Sequence, residues 1–453
     1  MRLRTPVFVT IGFALFLGFA TAQGSPASTQ ARKFAFIFGA GGEPPGAKTI
    51  FDVSFDQMGK VLTQAGYAGR LAYNGGHADA EGLSEKHFPG QRTEVMRDEI
   101  EKAIRDFEKD IEEGRIKAGD QLLIVNLNHG FLPEKKTKSH PVASRGGDFN
   151  MDGLESLRMK AEKAGVKLAI LDQSCYGGAS LALASPKTCV ISATGADNVG
   201  YTTEIYELWK RAAPGKSLES VFLEARKYGY MPTSPRISGE AGTRVEELLK
   251  TIQKHLLNYS TDIEQKLRKS QDCPTCFTAE KAGVETELQL NLAEIAALAA
   301  IPKATLDEIK KRIQEHARIF QALEADWKLE REFAKKMIKI GPTTWSWATL
   351  SRFDLAAEKK HWSELVASAK APFPKTYYQH VLASLDQVQA KRDQLPQDKD
   401  FASFLSLRSK VDAHSKDLAQ AAAEVGKLER ALYDVLYQAV RGKGANPCAG
   451  FVL

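Results

Sequence analysis

Five short apolar runs alternate with helical stretches up to about residue 240, and beyond that point strand-like runs stop. The runs are "KFAFIFG" (33–39), "RLAYNGG" (70–76), "QLLIVNLNHG" (121–130), "KLAILD" (167–172) and "KTCVISATG" (187–195). Between them, "TIFDVSFDQMGKVLTQAG" (49–66), 92–114 and 151–164 carry helical apolar spacing. Strand, helix, strand in repetition predicts βαβ units and a mainly parallel sheet. The 121–130 run is apolar at successive positions and does not alternate, as expected for a strand covered on both faces. In such sheets, binding residues gather beyond the carboxyl ends of the strands.

After residue 240 the pattern is helical. Residues 243–268 read as one helix. A second opens at Thr305 with Glu308 three places on, a capping-box spacing. Further on, Phe404, Leu407, Val411, His414, Leu418, Ala421, Val425, Leu428, Leu432 and Val435 follow three-four spacing over more than four heptads. That spacing predicts long helices packed in coiled-coil fashion, with His414 a packed side chain on the seam. The expected division is a leader at 1–22, an α/β unit at 23–239 and a helical unit at 240–453. A chain of 453 residues has room for more than one domain.

The leader reading rests on "MRLRTPVFVTIGFALFLGFATAQG": two arginines, an apolar stretch, then Ala20-Thr21-Ala22 before Gln23. This is the pattern of a secretory signal peptide. No other segment approaches the ~18 apolar residues of a spanning helix. The expectation is an exported protein, periplasmic or secreted, with no stable membrane span once the leader is cut. The net charge of +6 is mild and forms no basic stripe with interleaved aromatics, so nucleic acid is not an expected partner. Five cysteines in an exported chain is an odd number. Cys273 and Cys276 are close enough for a local disulfide. Of Cys175, Cys189 and Cys448, two can pair and leave one thiol, and arithmetic alone does not say which.

Two chemistries find little support. In "GAGGEPPGAKT" (39–49), Gly41 and Gly46 have the gap of a phosphate loop, but Ala47 intrudes before Lys48-Thr49. Pro44 and Pro45 remove two N–H donors that would cradle a phosphate. There is no Gly-x-Ser-x-Gly elbow and no His-Glu-x-x-His. His77, Asp79 and Glu81 read as a polar surface loop. No metal or cofactor is expected.

The third chemistry is the informative one. Cys175 follows an apolar strand and precedes "YGGASLALA", which reads as a helix start whose N–H groups would stabilise a thiolate. His129 also follows a buried strand directly, with Gly130 next. The separation, 175 − 129 = 46 residues, fits a loop, one crossover helix and a strand. If the two strands are neighbours, both side chains emerge at one sheet edge. A Cys–His pair there can carry acyl transfer: the thiolate attacks a carbonyl and His supplies the proton to the leaving amine. The Gly130 N–H can meet the developing oxyanion with no Cβ in the way.

These motifs resemble the caspase–legumain–gingipain superfamily of cysteine peptidases. The marks are "LLIVNLNHG" and "LAILDQSCYGG", with Gln173, Cys175 and Gly177 matching the caspase nucleophile signature and Ser174 and Tyr176 departing from it. In caspases the His lies about 50 residues upstream of the Cys. The resemblance covers roughly 33–235. It implies an α/β fold with a mostly parallel six-stranded sheet and helices on both faces, joined here to a C-terminal all-α part. It implies Cys175 as nucleophile, His129 as general acid/base and the N–H groups of Gly130 and Cys175 as oxyanion hole. It places Gln173 at the specificity pocket, with Asp197 after the fifth strand adding negative charge, and a basic residue before the cut is the expected preference. The expected partner is a peptide or protein substrate, and the helical part is open to a protein partner. The 131–150 loop, with Lys135, Lys136, Lys138 and Arg145, reads as a solvated loop open to self-cleavage. The rivals are an inactive scaffold acting through its helices and a transpeptidase of the same chemistry.

Overall fold

A computed structural model describes residues 31–41, 49–73, 78–133, 137–200, 202–229, 234–257, 274–341 and 343–453. The leader, residues 42–48 of the glycine loop, His77, Lys135, Lys136 and Cys273 lie outside the described residues.

The first half runs β1 (Lys33–Gly39), α1 (Asp52–Gln64), β2 (Tyr67–Tyr73), α2 (Ala78–His87), β3 (Arg92–Thr93), α3 (Arg97–Glu112), β4 (Gln121–Leu127), β5 (Pro141–Val142), β6 (Phe149–Asn150) and α4 (Glu155–Ala164). It continues with β7 (Lys167–Asp172), β8 (Thr188–Ser192), α5 (Thr202–Arg211), α6 (Leu218–Arg226), β9 (Arg236–Ile237) and α7 (Glu240–Leu257). The main sheet has the order β3-β2-β1-β4-β7-β8-β9. All its pairings are parallel except β8 with β9. The expected six strands are therefore present, and a two-residue strand, β3, extends one edge. That strand lies at the start of the 92–114 stretch, whose helix begins only at Arg97.

The strands feed two cores by simple alternation. Ala35, Ile37, Leu123, Val125, Ala169, Leu171, Cys189 and Ile191 pack on one face, against α1, α5 and α6. Phe36, Phe38, Leu122, Ile124, Leu168, Ile170 and Val190 pack on the other, against α3 and α4. Every residue of β4 is buried, which accounts for its continuous apolar run. Helix α3 presents Ile100, Ile104, Phe107 and Ile111, one stripe at 3.6-residue spacing.

The helical half comprises α8 (Pro274–Ala299), α9 (Lys303–Ala334), a hairpin of β10 (Met337–Ile340) and β11 (Thr343–Ser346), α10 (Trp347–Arg352), α11 (Leu355–Ser368), α12 (Pro372–Gln394) and α13 (Lys399–Val440). Helix α9 begins at Lys303, after Pro302, so Thr305 is inside the helix and not its cap. Helices α9 and α13 pack against each other, but the coiled-coil seam is not kept. Val435 is exposed, while Leu418, Ala422, Val425, Glu429, Leu432, Leu436 and Val440 are buried. The buried positions Ala422, Glu429 and Leu436 fall one residue on from the expected Ala421, Leu428 and Val435, because the last third of α13 lies on the α/β core. His414 is half-buried, with Nδ1 3.4 Å from Asp326.

Two features fasten the halves. Arg226 of α6 is fully buried and donates to both Glu429 oxygens of α13, at 2.9 and 3.0 Å. It also reaches Glu246 of α7 at 3.4 Å and stacks on the Tyr433 ring at 3.7 Å. Burial opposes its charge, but Glu429 and Glu246 more than offset this and hold it protonated. Losing one partner of such a cluster costs about 3–5 kcal/mol, because the other is left as an uncompensated buried charge. The second feature is a disulfide between Cys189 of β8 and Cys448, which, of the three cysteines 175, 189 and 448, leaves Cys175 free. Around it, residues 446–453 dock on α6: Leu218 N–H donates to Phe451 O, and Glu219 accepts from Tyr437, Arg441 and Asn446.

Two outcomes are expected. The disulfide closes a loop across 259 residues, so Cys448→Ala should lower unfolding stability in denaturant by about 2–5 kcal/mol; a loss under about 1 kcal/mol would contradict this. His316 of α9 is buried, and desolvation, then the nearby His255, pushes its pKa down to about 4. The unfolded chain therefore binds the extra proton between about pH 4 and 6.5, and stability is lost as pH falls through that window. From pH 7 to 5, His316→Met should reduce the acid-induced loss by roughly 2 kcal/mol, read as the change in urea midpoint.

Candidate active site

The site is built where β4 and β7 end. Their register pairs Asn126 with Asp172. His129 and Cys175 each lie three residues further on (129 − 126 = 175 − 172 = 3), so both emerge at the same height on the carboxyl edge. They are brought together through the backbone. A Cβ on Gly130 would stand 2.1 Å from the Cys175 carbonyl oxygen and 2.9 Å from Ser174 Oγ. Only glycine lets the His-Gly turn lie so close against the Cys175 turn.

One asparagine fixes the His side. Asn128, buried, accepts from the N–H groups of Gly41 and His129, both at 2.9 Å, and donates to Ala143 O at 2.6 Å. The ring of Phe51 meets the His129 ring edge-on at 5.2 Å. Ala143 N–H donates to His129 O and Phe131 N–H to Pro141 O. Gly130 faces Val142 in this short ladder without making its bonds, so its own N–H points away from that strand.

The Cys side rests on a buried polar cluster. Asp172 accepts from Asn126 Nδ2 at 2.8 Å, from Ser174 Oγ at 2.7 Å and from Ser180 Oγ. His140, with no exposed surface, holds Nε2 2.9 Å from Ser174 Oγ and 3.5 Å from Asp172 Oδ2, and its Nδ1 is 3.3 Å from Ser139 Oγ. Such a cluster is stable in the interior because its members are mutually hydrogen-bonded. It ties the 139–143 segment to the Cys175 turn. The sequence reading placed His140 in a solvated loop and missed it. The available signal was weak: a His between Ser139 and Pro141 in an otherwise charged stretch.

The segment after Cys175 differs from expectation. It is not an α-helix but a 3₁₀ stretch, Gly177–Leu183, entered through Tyr176 at φ 60°. The small residues fit because Gly178 lies against the Gly195–Ala196 backbone. Helix-terminal N–H groups are therefore not the thiol's partners. Cys175 Sγ instead accepts the N–H of Gly200 at 3.2 Å, and Tyr176 N–H donates to Asn198 O at 2.7 Å. Cys175 is partly exposed. Among the described residues no hydrogen bond joins its sulfur to His129.

Gln173 is buried, and its Oε1 accepts from Trp209 Nε1 at 2.7 Å. It lines a narrow cavity of about 20 Å³ with Ser192, Glu204, Leu208, Phe222 and Arg226. Asp197 is exposed at the turn beyond β8 and does not line that cavity; Glu204 is the acidic group that does. Lys138 and Arg145 lie on the 131–150 loop. Asp79 and Glu81 lie in the first turn of α2.

No family model matches the chain, and no curated protein matches it. Among solved structures it is similar to caspase-1 from Spodoptera frugiperda, at 15% identity over 46% of this chain and 86% of that one, with a TM-score of 0.30.

The contact at Gly130 gives a sharp expectation. Gly130→Ala should force the two turns apart, lower the melting temperature and slow alkylation of Cys175 at least tenfold. A variant that melts and alkylates like the parent would show that the turns can separate freely.

Proposed function

We propose that this chain is a cysteine endopeptidase, exported from the cell, with Cys175 as nucleophile and His129 as general acid/base. The observation that carries the reading is the common height of His129 and Cys175 on adjacent parallel strands, with Gly130 packed against the Cys175 carbonyl. In the reaction, Cys175 Sγ attacks the scissile carbonyl and the electron pair moves to oxygen. The N–H groups of Gly130 and Cys175 donate to that oxyanion. His129 gives a proton to the leaving amine as the C–N bond breaks, leaving an acyl-enzyme. His129 then takes a proton from water, the hydroxide attacks the acyl carbon, and the thiolate departs.

Export is supported by the leader pattern and by the Cys189–Cys448 disulfide, a bond that persists in oxidising compartments. Because that bond uses Cys189 and Cys448, oxidative folding does not consume the nucleophile. A basic residue before the cut fits the exposed carboxylate of Asp197 at the turn beyond β8. Arg226 shares the Gln173 cavity but is committed to Glu429 and Glu246.

The test is alkylation by an iodoacetamide probe at mildly acidic pH, with the labelled residue located by peptide mass mapping, alongside fluorogenic peptides carrying Arg, Lys, Asn or Asp before the cut. Cys175 should be the labelled thiol, and the Arg or Lys peptides should be cut fastest. Cys175→Ala should abolish turnover and His129→Ala should lower kcat at least a hundredfold. A labelled, folded protein that cleaves none of the peptides, nor a denatured protein substrate, would overturn the peptidase reading.

A further inference from the structure

The α11–α12 hairpin ends in a tip that the rest of the molecule does not cover. Its turn reads Ala369-Lys370-Ala371-Pro372-Phe373-Pro374-Lys375. Phe373 is 82% exposed and Tyr377 54%. Behind them stands a ladder of rings: Tyr377 on Tyr378 at 5.9 Å, and Trp362 against Tyr377 at 6.2 Å and Tyr378 at 5.7 Å. Trp362 packs at its inner side against the small core under the hairpin, built from Leu355, Leu385, Val388, Leu395, Phe401 and Phe404, while Phe373 and Tyr377 stand outside that core.

Charge and backbone chemistry narrow what fits there. Lys360, Lys370 and Lys375 are exposed and make no ion pair among the described residues, whereas Lys359 is paired with Asp386. Glu358 is engaged by the Trp362 indole N–H at 3.1 Å, leaving Glu364 as the unpaired acid near the tip. The excess charge is positive. The first turn of a helix normally exposes unpaired N–H groups, which are costly to move out of water. Here Pro372 and Pro374 remove two of them on either side of Phe373. An apolar ring on a backbone poor in donors, flanked by free lysines and backed by Trp and Tyr, matches the boundary between headgroups and acyl chains. An acidic protein would use the lysines but give no reason for the missing donors.

We infer that the α11–α12 tip is a peripheral docking site for anionic lipid surfaces, with Phe373 entering the interface and Lys370 and Lys375 meeting headgroup phosphates. The full chain would be sedimented with vesicles of phosphatidylcholine alone and with about 30% phosphatidylglycerol. Binding is expected to the anionic vesicles, to weaken with added salt, and to fall about tenfold in Phe373→Ala and about fivefold for each of Lys370→Gln and Lys375→Gln. These side chains are exposed, so the variants should melt like the parent. Absence of vesicle binding, equal binding to both vesicle types, or binding unchanged by Phe373→Ala would each overturn the inference. So would soluble polyglutamate stripping the protein from vesicles at equal charge, which would point to an acidic protein instead.

Discussion

The hydrogen bond from Asn126 Nδ2 to Asp172, at the paired ends of β4 and β7, is the constraint on which the site depends. It sets the height at which both strands stop being strands. Above it, Gln173 N–H still donates to Asn126 O, so the ladder continues one step while the side chains turn to new partners. Asp172 then gathers Ser174 and Ser180, and Ser174 meets His140. The Cys175 turn is thus built from below by polar groups shielded from water. In that setting each hydrogen bond is strong and each missing partner is costly. A site resting on such a cluster has one stable arrangement instead of several.

The supporting shell differs on the two sides of the cleft. The His side is held by Asn128 and the short β-ladder of residues 129–131 with residues 141–143. The far side, residues 194–200, is joined to the Cys turn by Thr194 Oγ1 to Ser174 O, Tyr176 N–H to Asn198 O and Gly200 N–H to Sγ. One of these three bonds ends on the sulfur itself. Chemistry at the sulfur and the path of that segment are therefore linked.

What could be read from the sequence follows from which signals are local. The sheet strands announced themselves because β1, β4, β7 and β8 are buried on both faces and so need continuous apolar runs. His129 and Cys175 were legible because parallel strands bring sequence-distant carboxyl ends together by a general rule. The cluster of His140, Ser139 and Ser180 was not, since its members come from a loop and a 3₁₀ stretch with no periodicity to mark them. The helix expected after Cys175 failed for a related reason: small residues permit close backbone approach as readily as they start helices. Val435 was misplaced because three-four spacing fits both a supercoiled seam and a straight helix over short spans. Only contact with the α/β core decides between them. The disulfide partner of Cys189 had no sequence signal, because it depends on where α13 delivers residue 448.

That disulfide also orders events in time. A ribosome makes Cys189 well before Cys448, which follows 259 residues later. Until then β8 has its parallel neighbour, but the face carrying Cys189 lacks the covering that residues 446–453 and α13 provide. Long-range closure of this kind is slow relative to local helix formation. A nascent chain therefore passes through a stage in which the Cys175 turn can form while Cys189 is still a thiol within the same sheet. Fidelity of pairing at that stage is a kinetic matter, governed by how soon the later segment arrives and by the depth at which β8 buries its sulfur.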